Sequence, residues 1–285
     1  MKSARNCVLL VIVALAAVLA GIQAPASADE SNLRDRAGIP TSMSGTYVRK
    51  GELLVYPFFE YYWDNNTEYK PSELGYGLEQ DFHNAKFRAS EGILFGSYGV
   101  TDRIAVEMEA SVIKARQQKD PADPSGVPPV IEESGTGDVE GQLHVRLLDE
   151  TDHHPEVTAY FEAVSPQQRD KVLIGTPDWE FALGAHVIRG YLWGTMTVRA
   201  AASYKLEDKT LDMGEYAVEY LRTLSSQWKV YTGVEGEQDD VALIVEGQWH
   251  FSPRAYLKLN NGFGITPKAT DLAPEVGVMF SFGGR

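Results

Sequence analysis

The chain has 285 residues, with 40 Asp and Glu against 26 Lys and Arg, a net charge of −14 and a mean hydropathy of −0.24. That acidic excess disfavours nucleic acid and anionic membrane surfaces as electrostatic partners. The length suits one large domain, while the hydropathy fits a soluble domain and a barrel with a wet interior equally well.

Lys2 and Arg5 precede the apolar run Val8 to Ala20, and Ala26-Ser27-Ala28 follows as a small-residue cleavage site. Residues 1–28 are therefore expected to be a secretory signal peptide, with an uncleaved anchor helix as the alternative. Cys7, the one cysteine, falls in that segment, so no disulfide is expected in the mature chain. Residues 29–50 are unpatterned and are read as a leader or a plug. Beyond the signal, no stretch approaches the roughly 18 consecutive apolar residues of a membrane helix.

From 51 to 285 the pattern is apolar at every second position, which places apolar and polar side chains on opposite faces of a strand. Strands are predicted at about 52–62, 85–98, 102–114, 138–148, 155–164, 178–189, 193–206, 214–223, 227–236, 240–250, 254–263 and 273–283. The third is the clearest: Ile104, Val106, Met108, Ala110 and Val112 share one face, opposite Glu107, Glu109 and Ser111. In the fourth, Val139, Leu143, Val145 and Leu147 oppose Glu140, Gln142, His144 and Arg146. The first two strands alternate poorly, and Tyr56 and Phe58 fall on the polar face.

Connections alternate in length. Val100-Thr101-Asp102, Arg189-Gly190-Tyr191, Leu224-Ser225-Ser226 and Phe251-Ser252-Pro253 read as tight turns, whereas 63–84 and 115–137 read as long polar loops. Short turns on one side and long loops on the other are the arrangement of an outer-membrane barrel, which leaves no backbone group unpaired in lipid. Trp63, Trp179, Trp193, Trp228 and Trp249 fall at or beside predicted strand ends, as an interfacial girdle requires. The fold class expected is an all-β, antiparallel up-and-down transmembrane barrel of about twelve strands; a soluble sandwich or lipocalin-like fold is the alternative.

The polar faces carry Glu107, Glu109, His144, Arg146, Glu162, Glu180, His186, Arg199, Lys205, Glu219, Lys229, Glu246 and Lys258. Such charges are costly against lipid, so these residues are expected to line the lumen. There they would form acid–base ladders or a wet, charge-lined passage; an acidic lumen would favour cations. His250 and Ser252 have a His-x-Ser spacing seen in barrel enzymes acting on lipid, but no acidic orienter is evident from spacing. His153 and His154 lie beside Asp149, Glu150 and Asp152, a composition more typical of a solvated turn than of an ion site. Gly135-x-Gly137 precedes a strand, so it is flexible strand entry and not a phosphate loop. No catalytic residue, metal or cofactor is expected.

Gly135-Thr136-Gly137-Asp138 entering a strand, the turn Gly99-Val100-Thr101-Asp102, the Ser252-Pro253 turn, the first strand from Gly51 to Tyr62 and the closing Phe280 and Phe282 together resemble the outer-membrane family called MetA-pathway of phenol degradation. The resemblance covers most of the mature chain with short motifs. It departs at Gly283-Gly284-Arg285, where assembly signals usually finish on the aromatic residue. It implies a transporter barrel for a small solute, hydrophobic or aromatic in character. The function expected is passive passage through the outer membrane, with lipid and a small-molecule solute as partners; a lipid-acting barrel enzyme and a closed structural or adhesive barrel are the alternatives.

Overall fold

The structure, a computed structural model, describes residues 48–283 other than 192, 193 and 208. The signal segment, nearly all of the leader, and Trp193 lie outside the described residues.

Alternation of the kind predicted builds twelve strands: β1 (Glu52–Tyr69), β2 (Phe82–Gly99), β3 (Ile104–Gln118), β4 (Val130–Leu148), β5 (Glu156–Ser165), β6 (Glu180–Tyr191), β7 (Gly194–Lys205), β8 (Thr210–Thr223), β9 (Trp228–Glu237), β10 (Asp240–Ser252), β11 (Ala255–Gly264) and β12 (Leu272–Gly283). Each pairs antiparallel with its sequence neighbours, and β1 closes on β12 from Glu52↔Gly283 to Trp63↔Leu272. Closure leaves no strand edge unpaired. It also sorts side chains into an inner and an outer set. Outward positions expose large apolar groups, among them Leu94, Met108 (62 % exposed), Leu183 (65 %) and Leu259. Apolar surface on this scale fits a lipid environment better than water.

Four expectations need correction. The segments 63–84 and 115–137 are mostly strand, because β1 runs to Tyr69 and β4 starts at Val130, leaving loops at only 70–81 and 119–129. Past the apolar band both faces are polar, so alternation stops while backbone pairing continues. The turn placed at 189–191 is strand, since β6 continues to Tyr191; Phe251 and Ser252 likewise belong to β10. Gly135 and Gly137 sit inside β4, where Val112 pairs with Thr136 and Ala110 with Val139 across a register shift.

Inside the short-turn half, β1, β2, β3, β11 and β12 contribute an apolar cluster: Leu54, Tyr56, Phe58, Phe95, Tyr256 and Met279 among others, all buried. Val48, just before β1, is fully buried in the same cluster, and Lys50 bridges to Gly99. Tyr56 and Phe58 do face inward, as their place on the polar face predicts, with rings stacked at 4.6 Å. Gly277 lies directly opposite Phe58, and a Cβ there would overlap the Phe58 Cβ and the Tyr56 ring. Gly277→Ala is accordingly expected to destabilise the barrel by about 1–3 kcal/mol through overpacking, measured as a lower denaturation midpoint with unchanged β content.

Candidate functional site

The thirteen polar and charged residues singled out in the sequence lie on the inner face by register. Glu107, His144, His186, Arg199, Glu219, Glu246 and Lys258 are buried, and the other six are half-buried. Neighbouring strands bring several together: His144 Nε2 is 3.3 Å from Glu107, Lys205 is 3.8 Å from Glu180, and Lys258 lies 3.2 Å from Glu246 and 3.4 Å from Glu275. Arg199 reaches Glu215 (3.1 Å) and Glu235 (3.7 Å). His144, Tyr160 and His186 stack as a buried aromatic group, with Tyr160 4.9 Å from His186 and 5.5 Å from His144. Arg146 instead turns to the short-turn end, toward Asp149 and Glu156.

At the long-loop end, the segment 166–179 between β5 and β6 folds into the mouth. Glu133 accepts the backbone N–H groups of Val172 and Leu173, and Asp138 accepts those of Gln167 and Thr176. This sets Leu173 and Ile174 against Ala89 and Ala115, a directly paired inward couple of β2 and β3 whose small side chains leave room. Gly135 of β4 leaves similar room for Gln168 and Lys171.

The volume that remains is a cavity of about 550 Å³. It runs from Glu237, Asp240 and Thr270 near the long-loop rim to Phe58, Tyr231 and Lys258 deeper in the lumen. Ten carboxylates and two cations, Arg199 and Lys258, line it. Glu60 and Glu91 lie directly opposite one another, and Tyr62 donates to Glu60 at 2.8 Å while lying 3.3 Å from Glu91. A neighbouring space of about 230 Å³ shares Glu109, Glu140 and Glu215 with it and adds Glu107 and Glu162. Of the predicted set, Glu109, Arg199, Glu246 and Lys258 line the main cavity. Sequence reasoning missed the aromatic wall, Phe58, Tyr62 and Tyr231, and the carboxylates Glu60, Glu215, Glu235 and Glu275. Alternation held the signal for the last of these, since Val276 and Val278 face outward.

The remaining candidates do not converge. His250 Nε2 lies 3.1 Å from Gln248 Oε1 and its ring stacks on Tyr256, so its partner is an amide and not a carboxylate. Asp149 is engaged by Arg103 and Arg146, Glu150 by Arg189 and the Gly190 N–H, while His153 and His154 are exposed. Among the described residues no three His, Cys, Asp or Glu are grouped to hold a metal ion. Four of the five tryptophans are described. Trp63 is exposed with the Arg88 guanidinium 4.4 Å above its ring; Trp179 stacks on Phe181; Trp228 and Trp249 pair directly across β9 and β10, with ring centroids 6.3 Å apart.

No family model matches the sequence, and no curated protein matches it. Among solved structures, the chain is similar to an outer membrane channel from Pseudomonas putida F1, with a TM-score of 0.59 and 14 % identity over 83 % of this chain and 97 % of that one. It is also similar to the KdgM porin (TM-score 0.50, 10 % identity, 80 % of this chain and 99 % of that one). A third is the translocator domain of the autotransporter NalP from Neisseria meningitidis (TM-score 0.50, 9 % identity, 82 % and 89 %). The shared feature is the fold, a closed antiparallel barrel of the outer-membrane type.

The two hairpin tips beside the mouth are tied by carboxylates. Tyr69 donates to Asp123 at 2.7 Å, and Asp120 accepts from the Asn84 N–H at 2.9 Å and the Ala122 N–H at 2.8 Å. The hydrogen bond from Ala122 and those from Asn84 hold Asp120 below the ordinary carboxylate range. Burial alone would raise Asp123, but hydrogen bonds from Ser125 and Tyr69 carry it below that range too. Their stabilisation is thus full at neutral pH and fades only as the pH falls below about 4. Asp123→Ala is expected to cost about 1–3 kcal/mol of local stability at pH 7, seen as faster hydrogen exchange over 119–129 with the strands unaffected, and the difference from the parent should shrink in acid.

Proposed function

We propose that this chain is an outer-membrane channel or facilitator for the passive passage of a small hydrophobic or aromatic solute. The observation that carries the reading is the cavity, which runs from the long-loop rim to mid-barrel inside a cylinder with an apolar exterior. By the usual orientation of such barrels, the long loops are extracellular and the short turns periplasmic. Solute would enter from outside, rest against Phe58, Tyr62 and Tyr231, and move down its gradient. Below that wall the inward side chains around Tyr56 are packed together, so passage depends on this cluster yielding. The resemblance of the sequence motifs to a transporter family points the same way. No enzymatic role is inferred, because His250 faces Gln248 and Tyr256 and not an acid.

Purified protein in planar bilayers and liposomes should give small, discrete conductance steps and uptake of an aromatic solute. Tyr56→Ala, which removes the largest fully buried ring of the cluster, should raise both. Absence of conductance and uptake in parent and variant alike would reject the channel and favour a closed structural or adhesive barrel. The lipid-facing placement has its own check. Leu259, exposed on the outer face midway along β11, replaced by Arg should cost about 2–4 kcal/mol of stability in bilayers; no loss would contradict a membrane location.

A further inference from the structure

We infer that the lumen cavity binds a small organic cation, an ammonium group on a hydrocarbon body, held between facing carboxylates and the Tyr231 phenol. This deepens the channel reading by assigning a solute class and rests on that reading only for its biological setting.

Charge is the first observation. Each of the two cations in the cavity is shared by two carboxylates: Arg199 by Glu215 and Glu235, Lys258 by Glu246 and Glu275. The six other lining carboxylates have no cation at ion-pair distance among the described residues. Several are placed directly opposite one another on the inner face, Glu60 against Glu91 and Glu109 against Glu140. Like charges in that relation repel, and a barrel that places them around a cavity is stabilised by any cation that enters.

Tyr231 supplies the second. It is only 3 % exposed, yet it lines the cavity, and its hydroxyl has no hydrogen-bond partner among the described residues. Its ring leans over Gly233, where a Cβ would press on the phenolic oxygen. That hydroxyl is not sealed off from the cavity, so a ligand N–H can donate to it.

Size and spacing decide what kind of cation. No three acidic or histidine side chains among the described residues are grouped for a bare metal ion. The negative charge is spread over the walls of a space of about 550 Å³, within the range of small-molecule pockets. Phe58, Ile93 and Ile244 give that space an apolar share. An ammonium on an aromatic or aliphatic body meets both surfaces; an anion meets neither, and a neutral molecule leaves the carboxylates uncompensated.

The test is calorimetry on the purified barrel in neutral detergent with three probes of one shape and different charge: 2-phenylethylammonium, 2-phenylethanol and phenylacetate. The ammonium should bind about tenfold or more tighter than the alcohol, the factor expected for a charge-assisted contact, and phenylacetate should not bind. Glu109→Gln, Glu140→Gln and Tyr231→Phe should each weaken the ammonium several-fold. The two Gln variants also relieve repulsion, so they should keep the parent's heat-modifiable migration. Equal or tighter binding of the alcohol or the acid, no binding of any probe, full displacement by equimolar Mg²⁺, or unchanged affinity in all three variants would overturn the inference. Detergent offers no membrane to cross. Binding without conductance in bilayers would therefore defeat the channel alone, and conductance without charge discrimination would defeat this inference alone.

Discussion

Everything in this molecule follows from the demand that β1 find β12. A sheet of twelve strands left open would present two edges of unpaired N–H and C=O groups, each costing several kcal/mol in a medium without water. Closure from Glu52↔Gly283 to Trp63↔Leu272 meets that demand and, in doing so, gives every strand one inside and one outside. A twelve-strand cylinder is wider than eight strands, whose interior side chains alone can fill. The extra width is taken up differently at the two ends: by large rings such as Tyr56, Phe95 and Tyr256 in the short-turn half, and by the in-folded segment 166–179 on one side of the other half. The cavity is what neither fills.

Much of this was legible because lipid permits so few solutions. Where β3 runs Ile104, Val106, Met108 on one face and Glu107, Glu109 on the other, the alternation leaves little choice of which side is wet. Legibility fails where the membrane stops dictating. In Asp64-Asn65-Asn66-Thr67-Glu68 every side chain is polar, the pattern vanishes, and only the pairing with β2 across a register shift keeps the strand. It fails again where an inward residue is apolar. Tyr56 and Phe58 satisfy the period but not the chemistry expected of a lumen face, and their role as packing emerges only once Gly277 is seen opposite them. The site was the least legible part. Glu60 and Glu275 pair across the closing seam, more than 200 residues apart in sequence, and Leu173 and Ile174 reach their places through carboxylates of β4.

The interior charges divide by burial into two populations with different consequences. Glu246, Lys258 and Arg199 are buried and have opposite charges beside them, and Glu107 is buried with the His144 ring nitrogen 3.3 Å away. Breaking one such pair would strand its partner, so these ladders stiffen the wall more than they offer contacts. Glu60, Glu91, Glu109 and Glu140 are only half-buried and face one another across strands. Hydration makes that arrangement tolerable, and hydration requires that the cavity stay open to the long-loop end.

A channel of the kind proposed has to hold its solute and also release it, since binding that is too favourable stops flow. The placement of the two cations meets that condition. Arg199 and Lys258 are more deeply buried than the unpaired carboxylates, and they neutralise the acids nearest to them. The negative field therefore weakens toward the packed cluster around Tyr56 instead of deepening. A cation drawn in at the rim is not driven into the tightest part of the lumen, where its desolvation would be least compensated. Attraction at the mouth, and charge balance with apolar packing beneath it, is the order that would let the proposed channel select a solute without trapping it.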